Sequence, residues 1–343
     1  MEKMNSFYKN KKILVTGATG FLGANLVRIL LERGAEVRCI IRKPNQLTKD
    51  LPITLHKIPL VDEYEHVEAL AKVMDGCDTI YHLAGMFDPS PGGILRMTNL
   101  HVFGTRALLN AAEKVQVRRF VHCSSSVTVG FGDLDNLGNE DTVFDPTSVY
   151  GSGGALRGYY NSKKQAEELV LGWENLQTVV VNPDYIIGPF DVKPTSGQLI
   201  LQMSKSKIPF YPRGGKCFLG ARDCALAHIA AAEKGLVGQR YLVGYHNLSY
   251  RDFMSKISEV IGKRSAMIAL PKIAVHLLGH VGTYLTRLDE HRFAGLDPYV
   301  FRAMQQPRYR DGSKMVEELG IQPTPIEESI EACHRWFVDN HYV

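Results

Sequence analysis

The sequence of 343 residues lacks a long basic run, and its formal net charge is only +4. Proteins that bind nucleic acid through its phosphates concentrate positive charge in a patch or stripe, so we expect no nucleic-acid partner. Apolar runs are short as well, since none reaches the ~20 residues that a membrane-spanning helix needs. The polar residues 1–10 lack the apolar core of a signal peptide. We therefore expect no transmembrane segment.

Cysteine is scarce, with six residues, and no two of them have the CxxC spacing of a metal or redox site. Several lie in apolar stretches, where cysteine usually behaves as a small buried hydrophobic residue. His276 and His280 stand four residues apart, but no glutamate between them completes an HExxH zinc motif. These patterns predict no metal site and a reducing compartment, which we take to be the cytoplasm.

Glycine, in contrast, is concentrated in KKILVTGATGFLGA at residues 11–24. An apolar run typical of a buried parallel strand opens this stretch, and residues 25–34 continue it with helical periodicity. Between the two, Gly17, Gly20 and Gly23 are spaced as GxxGxxG. A strand, a glycine turn and a helix in this order form a site for the pyrophosphate of a dinucleotide. The predicted cofactor site also includes three other residues of this turn, Thr19, Phe21 and Leu22.

The residue that follows the second strand sets the preference between NAD and NADP. Glu36–Ile41 is predicted as this strand, and it runs into Arg42 and Lys43 with no acidic residue nearby. An acidic residue at this place binds the 2′-hydroxyl of NAD, whereas a basic one pairs with the 2′-phosphate of NADP. The sequence therefore favours NADP(H), with NAD(H) as the alternative.

Strands and helices alternate through the first half of the chain. Apolar runs predict the strands, and helical periodicity predicts the helices between them. The predicted strands are 53–60, 79–84 and 119–123, and the predicted helices are 62–74 and 99–113. Such alternation indicates right-handed βαβ units. We therefore predict an α/β fold, a Rossmann-type doubly wound parallel sheet with a smaller, discontinuous C-terminal substrate-binding portion.

The predicted NAD(P)-binding domain covers residues 11–182, and residues 217–245 are expected to complete its sheet. Within that segment, Cys217–Gly220 is predicted to return to the sheet before a further helix and strand. The substrate-binding portion comprises mainly residues 183–343. The apolar segment 273–288 is expected to cover the substrate cleft, with a helix lying on a membrane surface as the alternative.

Side chains that can carry chemistry follow the fifth strand. Ser124, Ser125 and Ser126 come directly after it, at the edge of the sheet where ligands bind. Tyr159 and Lys163 are four residues apart and share one face of a predicted helix. The lysine ammonium is expected to lower the pKa of the phenol from near ~10 toward neutrality. The phenol could then exchange a proton with a carbonyl or hydroxyl oxygen that a serine holds.

Together these motifs resemble the extended short-chain dehydrogenases/reductases of the NAD-dependent epimerase/dehydratase superfamily. The matching segments are TGATGFLG at 16–23, HLAG at 82–85, NLHVFGTRALLNAA at 99–112, CSSSVTVG at 123–130, YYNSKKQAEE at 159–168, VNPDYIIGP at 181–189 and DGSKMVEELGIQPTPIEESI at 311–330. The resemblance covers nearly the whole chain. It implies an NAD(P)-dependent oxidoreductase, closest in pattern to dihydroflavonol-4-reductase-like enzymes.

The resemblance also implies the catalytic residues. The serine of the family falls on Ser126, its tyrosine on Tyr159, its lysine on Lys163 and its supporting helix asparagine on Asn99. The family pattern YxxSKxxAE excludes the second YxxxK pair, which is shifted by one residue.

Further cofactor contacts follow from the same resemblance. Ala84 and Gly85 should line the nicotinamide ribose, and Pro183 should mark the turn over the nicotinamide. A proline replaces the aspartate that the family commonly uses for adenine, so Leu60 and Asp62 are expected to replace it in part. The remaining expected cofactor residues are Leu83, Ser124 and Ile186, and the catalytic Tyr159 and Lys163 are expected to contact the cofactor as well.

Three functions fit this pattern. We favour an NADPH-dependent reductase of ketones or aldehydes that resembles dihydroflavonol-4-reductase and cinnamoyl-CoA reductase. The second is a nucleotide-sugar epimerase or dehydratase with tightly bound NAD, for which Arg213, Lys216 and Arg222 could grip a diphosphate. The third is a 3β-hydroxysteroid-type dehydrogenase. A non-catalytic cofactor sensor is disfavoured because the catalytic residues are intact.

The motifs do not specify the substrate. Apolar residues in loops near the predicted cleft favour a fairly apolar small-molecule carbonyl compound, with ordinary packing as the alternative reason for their presence. These residues are Met86, Phe87, Phe131, Tyr185 and Phe210. The helices predicted at 99–113 and 159–171 can form a dimer interface, so a monomer and a homodimer are both open.

Overall fold

The strands and helices are assigned in a computed structural model that describes residues 7–263, 265–271 and 298–343. The strands are β1 Lys12–Thr16, β2 Glu36–Ile40, β3 Thr54–His56, β4 Thr79–His82, β5 Arg119–Cys123, β6 Gln177–Pro183, β7 Tyr185–Ile187, β8 Phe210–Tyr211, β9 Gly215–Gly220, β10 Gln239–Val243, β11 His246–Ser249, β12 Ile268–Ala269 and β13 Pro307–Arg308. The helices are α1 Phe21–Glu32, α2 Tyr64–Met74, α3 Gly93–Thr98, α4 Gly104–Lys114, α5 Pro146–Tyr150, α6 Gly154–Leu171, α7 Gln198–Lys205, α8 Ala221–Glu233, α9 Tyr250–Val260, α10 Pro298–Met304, α11 Ser313–Leu319 and α12 Ile326–Asp339.

Seven strands form the central sheet in the order β3-β2-β1-β4-β5-β6-β10, and every neighbouring pair is parallel. Ile13, Leu14 and Val15 of β1 are fully buried, as expected of a parallel strand covered on both faces. Apolar residues of α1 and α8 cover one face, and those of α2, α4 and α6 cover the other. The prediction of a doubly wound parallel sheet is confirmed.

The chain changes direction across the sheet between β1 and β4. From β1 it proceeds to β2 and β3 on one side, and then it returns to β4 and continues through β5 and β6 on the other. The loops that follow β1 and β4 therefore diverge and leave a crevice at the carboxyl ends of these strands. Ligands of open parallel sheets bind in such a crevice.

A smaller sheet carries the C-terminal portion. Its strand β9 pairs with β7, β11 and β13, while β8 pairs with β12. Helices α7, α9 and α12 cover this sheet, and the rings of Phe218 and Phe253 stack with their centroids 4.0 Å apart. The prediction that Cys217–Gly220 returns to the central sheet is wrong, because β9 belongs to this second sheet. Within 217–245, the strand that joins the central sheet is β10.

The predicted helix 99–113 is longer than expected and changes its winding. Helical backbone begins at Gly93, and Asn99–Phe103 forms a π-helical turn between α3 and α4. The N–H of Gly104 donates to the carbonyl oxygen of Asn99 across this wider turn. Single π turns of this kind are frequent at functional sites.

Two other predicted segments also differ from expectation or lie outside the structure. The strand predicted at 53–60 is confined to β3, since Pro59 has no N–H to donate to a neighbouring strand. The segment 273–288 lies outside the described residues. Within the described ranges, no helix combines the length and apolar character that crossing a membrane requires.

A buried carboxylate on α6 links the strands near the carboxyl edge of the sheet. Glu167 has no exposed surface, and its Oε2 accepts hydrogen bonds of 2.7 Å from Ser124, Thr128 and Asn182. Its Oε1 accepts a hydrogen bond of 2.8 Å from Arg240. A buried charge is stable when it is paired and hydrogen-bonded in this way. The carboxylate thereby fixes β6, β10 and the loop after β5 relative to one another.

We expect Glu167→Ala to lower the free energy of unfolding by about 3–5 kcal/mol, because it leaves the buried side chains of Ser124, Thr128 and Asn182 without this acceptor. Urea unfolding measures this loss. The matched control is Glu168→Ala, which removes an exposed carboxylate paired with Lys164 at 3.3 Å. The control should cost at most about 0.5 kcal/mol. Equal losses in the two variants would contradict the structural role of Glu167.

Candidate active site

The glycine turn after β1 lies directly against the segment that follows β4. Gly17 has φ of +77°, and a Cβ atom on it would lie 2.7 Å from the carbonyl carbon of Leu83. A Cβ atom on Gly23 would lie 2.1 Å from the carbonyl oxygen of Gly17. Gly20 precedes α1 without a side-chain cap, so the first N–H groups of this helix have no side-chain acceptor there. The turn therefore fits the pyrophosphate of a dinucleotide.

The segment after β2 folds beside the same turn. Asn45 Nδ2 donates a hydrogen bond of 2.9 Å to the carbonyl oxygen of Thr19. Arg42 and Lys43 are both exposed at the start of this segment. Phe21 begins α1, where its first turn also holds Leu22. The predicted cofactor residues of the glycine turn and of the β2 end are thus neighbours in the structure.

Leu60 and Asp62, expected near the adenine, lie against α4. The carboxylate of Asp62 accepts hydrogen bonds from Arg106 and, at 3.3 Å, from Asn110. Leu60 packs close to Gly104, where an added Cβ atom would lie 3.1 Å from the Leu60 carbonyl oxygen. Both polar partners of Asp62 are therefore side chains of α4.

A chain of buried hydrogen bonds holds the segment after β4 in place. His82 bonds Thr16 through Nδ1 at 2.7 Å and Thr105 through Nε2 at 2.9 Å. The Thr16 hydroxyl also accepts a hydrogen bond of 3.1 Å from the Ala84 N–H. Burial lowers the pKa of His82 to about 3, so its ring is neutral. These contacts connect β1, β4 and α4, and they fix the backbone that leads to Gly85.

Helix α6 brings the predicted Tyr159 and Lys163 to this edge of the sheet. Lys163 is buried, and its Nζ donates a hydrogen bond of 3.0 Å to the carbonyl oxygen of Cys123. A Cβ atom on Gly85 would lie 3.1 Å from the same Nζ atom. The Tyr159 ring meets Phe87 edge to face, with centroids 5.6 Å apart. The tyrosine, the lysine and the segment after β4 therefore form one site.

The Tyr159 phenol holds its proton more tightly than the sequence suggests. Burial raises the pKa of Tyr159 to about 12, and the nearby Ser125 side chain offsets part of this rise. The expectation of a lowered pKa is wrong for this structure, in which the Lys163 ammonium is directed at the Cys123 carbonyl. At neutral pH the phenol is protonated, so it can donate a hydrogen bond and a proton.

Ser125 is the serine whose side chain interacts with Tyr159. Its Oγ also accepts a hydrogen bond of 3.3 Å from the N–H of Val127, which orients the hydroxyl. Ser125 is half-buried and directly precedes the short helical turn Ser126–Thr128. It therefore has both the position and the exposure to reach a ligand.

The other two serines have buried partners. Ser124 donates a hydrogen bond of 2.7 Å to Glu167, so its hydroxyl holds the loop after β5 against α6. Ser126 is buried, and its hydroxyl interacts with Asp184. Ser125, rather than the expected Ser126, is therefore the serine beside the tyrosine in this structure. The physical reason is that the chain turns after Ser125, which directs the two side chains to different partners.

His101, rather than Asn99, reaches the site from the helix. Asn99 is exposed, whereas His101 is buried with its ring centroid 5.8 Å from that of Tyr159. His101 Nε2 accepts a hydrogen bond of 3.1 Å from the Met86 N–H, so its proton is on Nδ1, which donates to Ser162 at 2.8 Å. Ser162 in turn donates to the carbonyl oxygen of Tyr159 at 3.0 Å.

The supporting role expected of Asn99 stays a prediction, whereas the helix periodicity contains a signal for His101. His101 and Thr105 are four residues apart and share a helix face, and Thr105 bonds the buried His82. Asn99 does not lie on that face. Burial, together with the nearby charge of Lys163, lowers the pKa of His101 to about 2. The ring is therefore a neutral support for the tyrosine.

The five expected substrate residues fall into two groups. Met86 and Phe87 lie beside His101 and Tyr159, as described above. Phe131, Tyr185 and Phe210 occupy other positions. Phe131 packs on Phe144 with centroids 5.9 Å apart, Tyr185 packs on Phe218 at 5.0 Å, and Phe210 is 48% exposed on β8. The two remaining cofactor residues, Pro183 and Ile186, lie at the end of β6 and in β7.

A parallel sheet with a glycine turn at its switch point is the architecture of NAD(P)-dependent oxidoreductases. Comparison with known families agrees, because residues 13–244 match the NAD dependent epimerase/dehydratase family. The chain belongs to this family. The resemblance to the extended short-chain dehydrogenases/reductases is confirmed.

Similar proteins match nearly the whole chain. A protein of Synechocystis sp., provisionally named dihydroflavonol 4-reductase, is 30% identical over an alignment of 343 positions, gaps included, that covers 96% of this chain and 95% of the relative. Cinnamoyl-CoA reductase 1 of Petunia hybrida is 30% identical over an alignment of 338 positions that covers 93% of this chain and 89% of the relative. The crystal structure of gox2253 matches with a TM-score of 0.80 and 27% identity, covering 96% of this chain and 99% of that chain.

The two neighbouring serines offer a matched test of the site. We expect Ser125→Ala to lower kcat by about 100-fold, as loss of one hydrogen-bond donor to a reacting oxygen does. Ser126→Ala should keep kcat near the wild-type value and lower the free energy of unfolding by about 1 kcal/mol. Steady-state kinetics of the NAD(P)-dependent reaction, together with urea unfolding, measure both effects. The reverse pattern would return the role to Ser126.

Proposed function

We propose that the protein is an NADPH-dependent carbonyl reductase that converts a ketone or an aldehyde to an alcohol. The observation that carries this proposal is a protonated Tyr159 with the Ser125 hydroxyl beside it, at the crevice that fits a dinucleotide. Carbonyl reduction needs a proton donor and a second donor for the same oxygen. The two reductase relatives support this choice.

In the proposed reaction, the hydroxyls of Ser125 and Tyr159 donate hydrogen bonds to the carbonyl oxygen of the substrate. When bound, NADPH supplies the hydride for the carbonyl carbon. As negative charge develops on the oxygen, Tyr159 donates its proton to it. Lys163, whose ammonium bonds the Cys123 carbonyl oxygen, places a positive charge in the same site. The protein therefore contributes orientation and a proton.

His101 and Ser162 act as positioning residues in this proposal. Their hydrogen bonds join the N–H of Met86 to the carbonyl oxygen of Tyr159. The loop that begins at Met86 and the helix that carries the tyrosine are thereby held together. Phe87, which meets the Tyr159 ring, is placed to contact the substrate beside the reacting oxygen.

The proposed cofactor preference rests on the end of β2. Arg42 and Lys43 are exposed beside the glycine turn, with Asn45 bonded to Thr19 of that turn. A positive charge at this position pairs with the 2′-phosphate of NADP. We therefore propose NADP(H) as the preferred cofactor. A cytoplasmic location is also proposed, since all six cysteines are free thiols.

The arrangement of basic residues favours a reductase over a nucleotide-sugar epimerase. Arg213 is exposed, and Arg222 is exposed and pairs with Glu32 at 3.7 Å. Lys216 instead bonds Asp184 at 3.5 Å with most of its side chain buried. The three cations expected to grip a diphosphate therefore have separate surroundings. Tightly bound NAD in the purified protein would favour the epimerase instead.

Tyr159→Phe tests the proposed proton donor. We expect turnover to fall by at least ~100-fold, because the variant has no proton to give to the substrate oxygen. NADPH affinity, measured by fluorescence titration, should stay close to that of the wild type. The matched control is Tyr160→Phe, which changes a ring that packs on Phe144. Near wild-type turnover of Tyr159→Phe would refute the assignment.

Arg42→Ala tests the cofactor preference. Loss of the charge should raise the Kd of NADPH by about tenfold, which corresponds to about 1.4 kcal/mol. The Kd of NADH should be unchanged, since NADH has no 2′-phosphate for the arginine to bind. Lys49→Ala, at another exposed lysine of the same segment, is the control. Equal effects on NADPH and NADH would contradict the proposed contact.

A further inference from the structure

Charged side chains meet behind the serine loop, where β9 and β13 lie side by side. Asp184 pairs with Arg310 and, at 3.5 Å, with Lys216. Arg310 is 1% exposed and fully engaged. Besides Asp184, it donates hydrogen bonds to the carbonyl oxygens of Ser126, Val129 and Gly130.

Arg308 differs from these neighbours because part of its guanidinium has no partner. The residue is 5% exposed, and neither Nε nor Nη2 has a hydrogen-bond acceptor among the described residues. Its guanidinium lies over the rings of Phe131 and Tyr150, 5.0 and 5.3 Å from their centroids. Such ring contacts accommodate the charge but accept no hydrogen bond in the guanidinium plane.

The register of the sheet makes the excess of positive charge clear. Arg308 of β13 is the direct partner of Lys216 in β9, so two cations stand opposite each other. Like charges at such positions are destabilising. With Arg310 included, three cations lie near the carboxylate of Asp184, which pairs with Lys216 and Arg310 but not with Arg308. Burial of an unpaired charge is unfavourable, so this cluster is suited to a negative ligand.

We propose that Arg308, together with Lys216, binds an anionic group of the substrate, a carboxylate or a phosphate. The planar guanidinium matches either group with two parallel hydrogen bonds, and Lys216 adds a second positive charge. This inference rests on the proposed carbonyl reductase. It changes the expected substrate from a simply apolar carbonyl compound to one that also carries an acid.

The contacts around Tyr150 connect this subsite to the reacting oxygen. Tyr150, whose ring lies under Arg308, donates a hydrogen bond of 3.1 Å to the carbonyl oxygen of Val127. The N–H of Val127 donates to Ser125. These contacts link Arg308 to the proposed catalytic hydroxyl through Tyr150 and Val127. Phe131 and Tyr150 supply apolar surface beside the subsite.

Binding of small anions tests the subsite directly. The protein is saturated with NADP⁺, so that the phosphate positions of the cofactor are filled, and is titrated with benzoate, phenyl phosphate and neutral benzyl alcohol by calorimetry. We expect Arg308→Met to weaken anion binding by at least about tenfold, as loss of a charged hydrogen-bond partner does. Benzyl alcohol should bind both proteins equally. The anion that binds more tightly distinguishes a carboxylate from a phosphate.

Arg302→Met is the matched control, because Arg302 is an exposed arginine on α10. It should bind both anions as the wild type does. If Arg308→Met does not fold, Arg308→Lys carries the comparison, since it keeps the charge but loses the fork-shaped donor set. Weaker anion binding by this variant supports the proposal. An absence of anion binding by the wild type, or equal binding by the wild type and the Arg308 variant, would overturn it.

Kinetics with a matched pair of aldehydes separates the subsite from the reductase function. In Arg308→Met, kcat/KM should fall about tenfold for 4-carboxybenzaldehyde and stay unchanged for its methyl ester. Equal losses for both aldehydes would overturn the subsite while leaving the reductase intact. Failure of the wild type to reduce either aldehyde, with Arg308-dependent anion binding retained, would support the subsite and count against the reductase.

Discussion

The crevice at the carboxyl edge of the central sheet depends on the close approach of two backbone segments. The turn after β1 leaves no room for a side chain at Gly17, because the Leu83 carbonyl occupies that space. The contact sets the depth of the crevice at the point where the strand order reverses. It also sets the path of the chain to Gly85, beside the ammonium of Lys163. Backbone packing thus sets the distance between the glycine turn and α6, the helix that carries Tyr159 and Lys163.

Burial, more than charge pairing, determines the protonation states around this edge. His82 and His101 are neutral because they are buried near the ammonium of Lys163. Neutral rings hold the surrounding backbone through fixed tautomers without adding charge that would repel the lysine. Burial also keeps the phenol of Tyr159 protonated. The Lys163 ammonium therefore lies beside neutral imidazole rings and a neutral phenol, an arrangement in which developing negative charge on a ligand is favoured.

The parts of the structure that depend on local spacing could be predicted from the sequence. Glycine spacing, the alternation of strands and helices, and the spacing of Tyr159 and Lys163 each reflect a short-range periodicity. The position of Ser125 could not be predicted in this way, because three consecutive hydroxyls differ only in where the chain turns. The role of His101 was not predicted from the sequence, although its four-residue spacing from Thr105 indicates that the two side chains share a helix face.

Features that depend on the pairing of strands distant in the sequence could not be predicted. Arg308 and Lys216 are far apart in the sequence, and they become neighbours only because β13 pairs with β9. The same sheet was missed when Cys217–Gly220 was placed in the central sheet. An apolar strand has no mark in its sequence that tells which of two sheets it joins. The cluster of Arg308 and Lys216 is therefore a consequence of the strand order in the second sheet.

The π-helical turn Asn99–Phe103 divides one continuous helix into two halves that pack on different parts of the protein. On one side, α3 packs on α6 so closely that a Cβ atom on Gly158 would lie 2.7 Å from the Ile94 side chain. On the other side, α4 buries apolar residues in the core of the central sheet. The wider turn changes the winding between the two halves, so that one continuous helix directs α3 at α6 and α4 at the core of the central sheet.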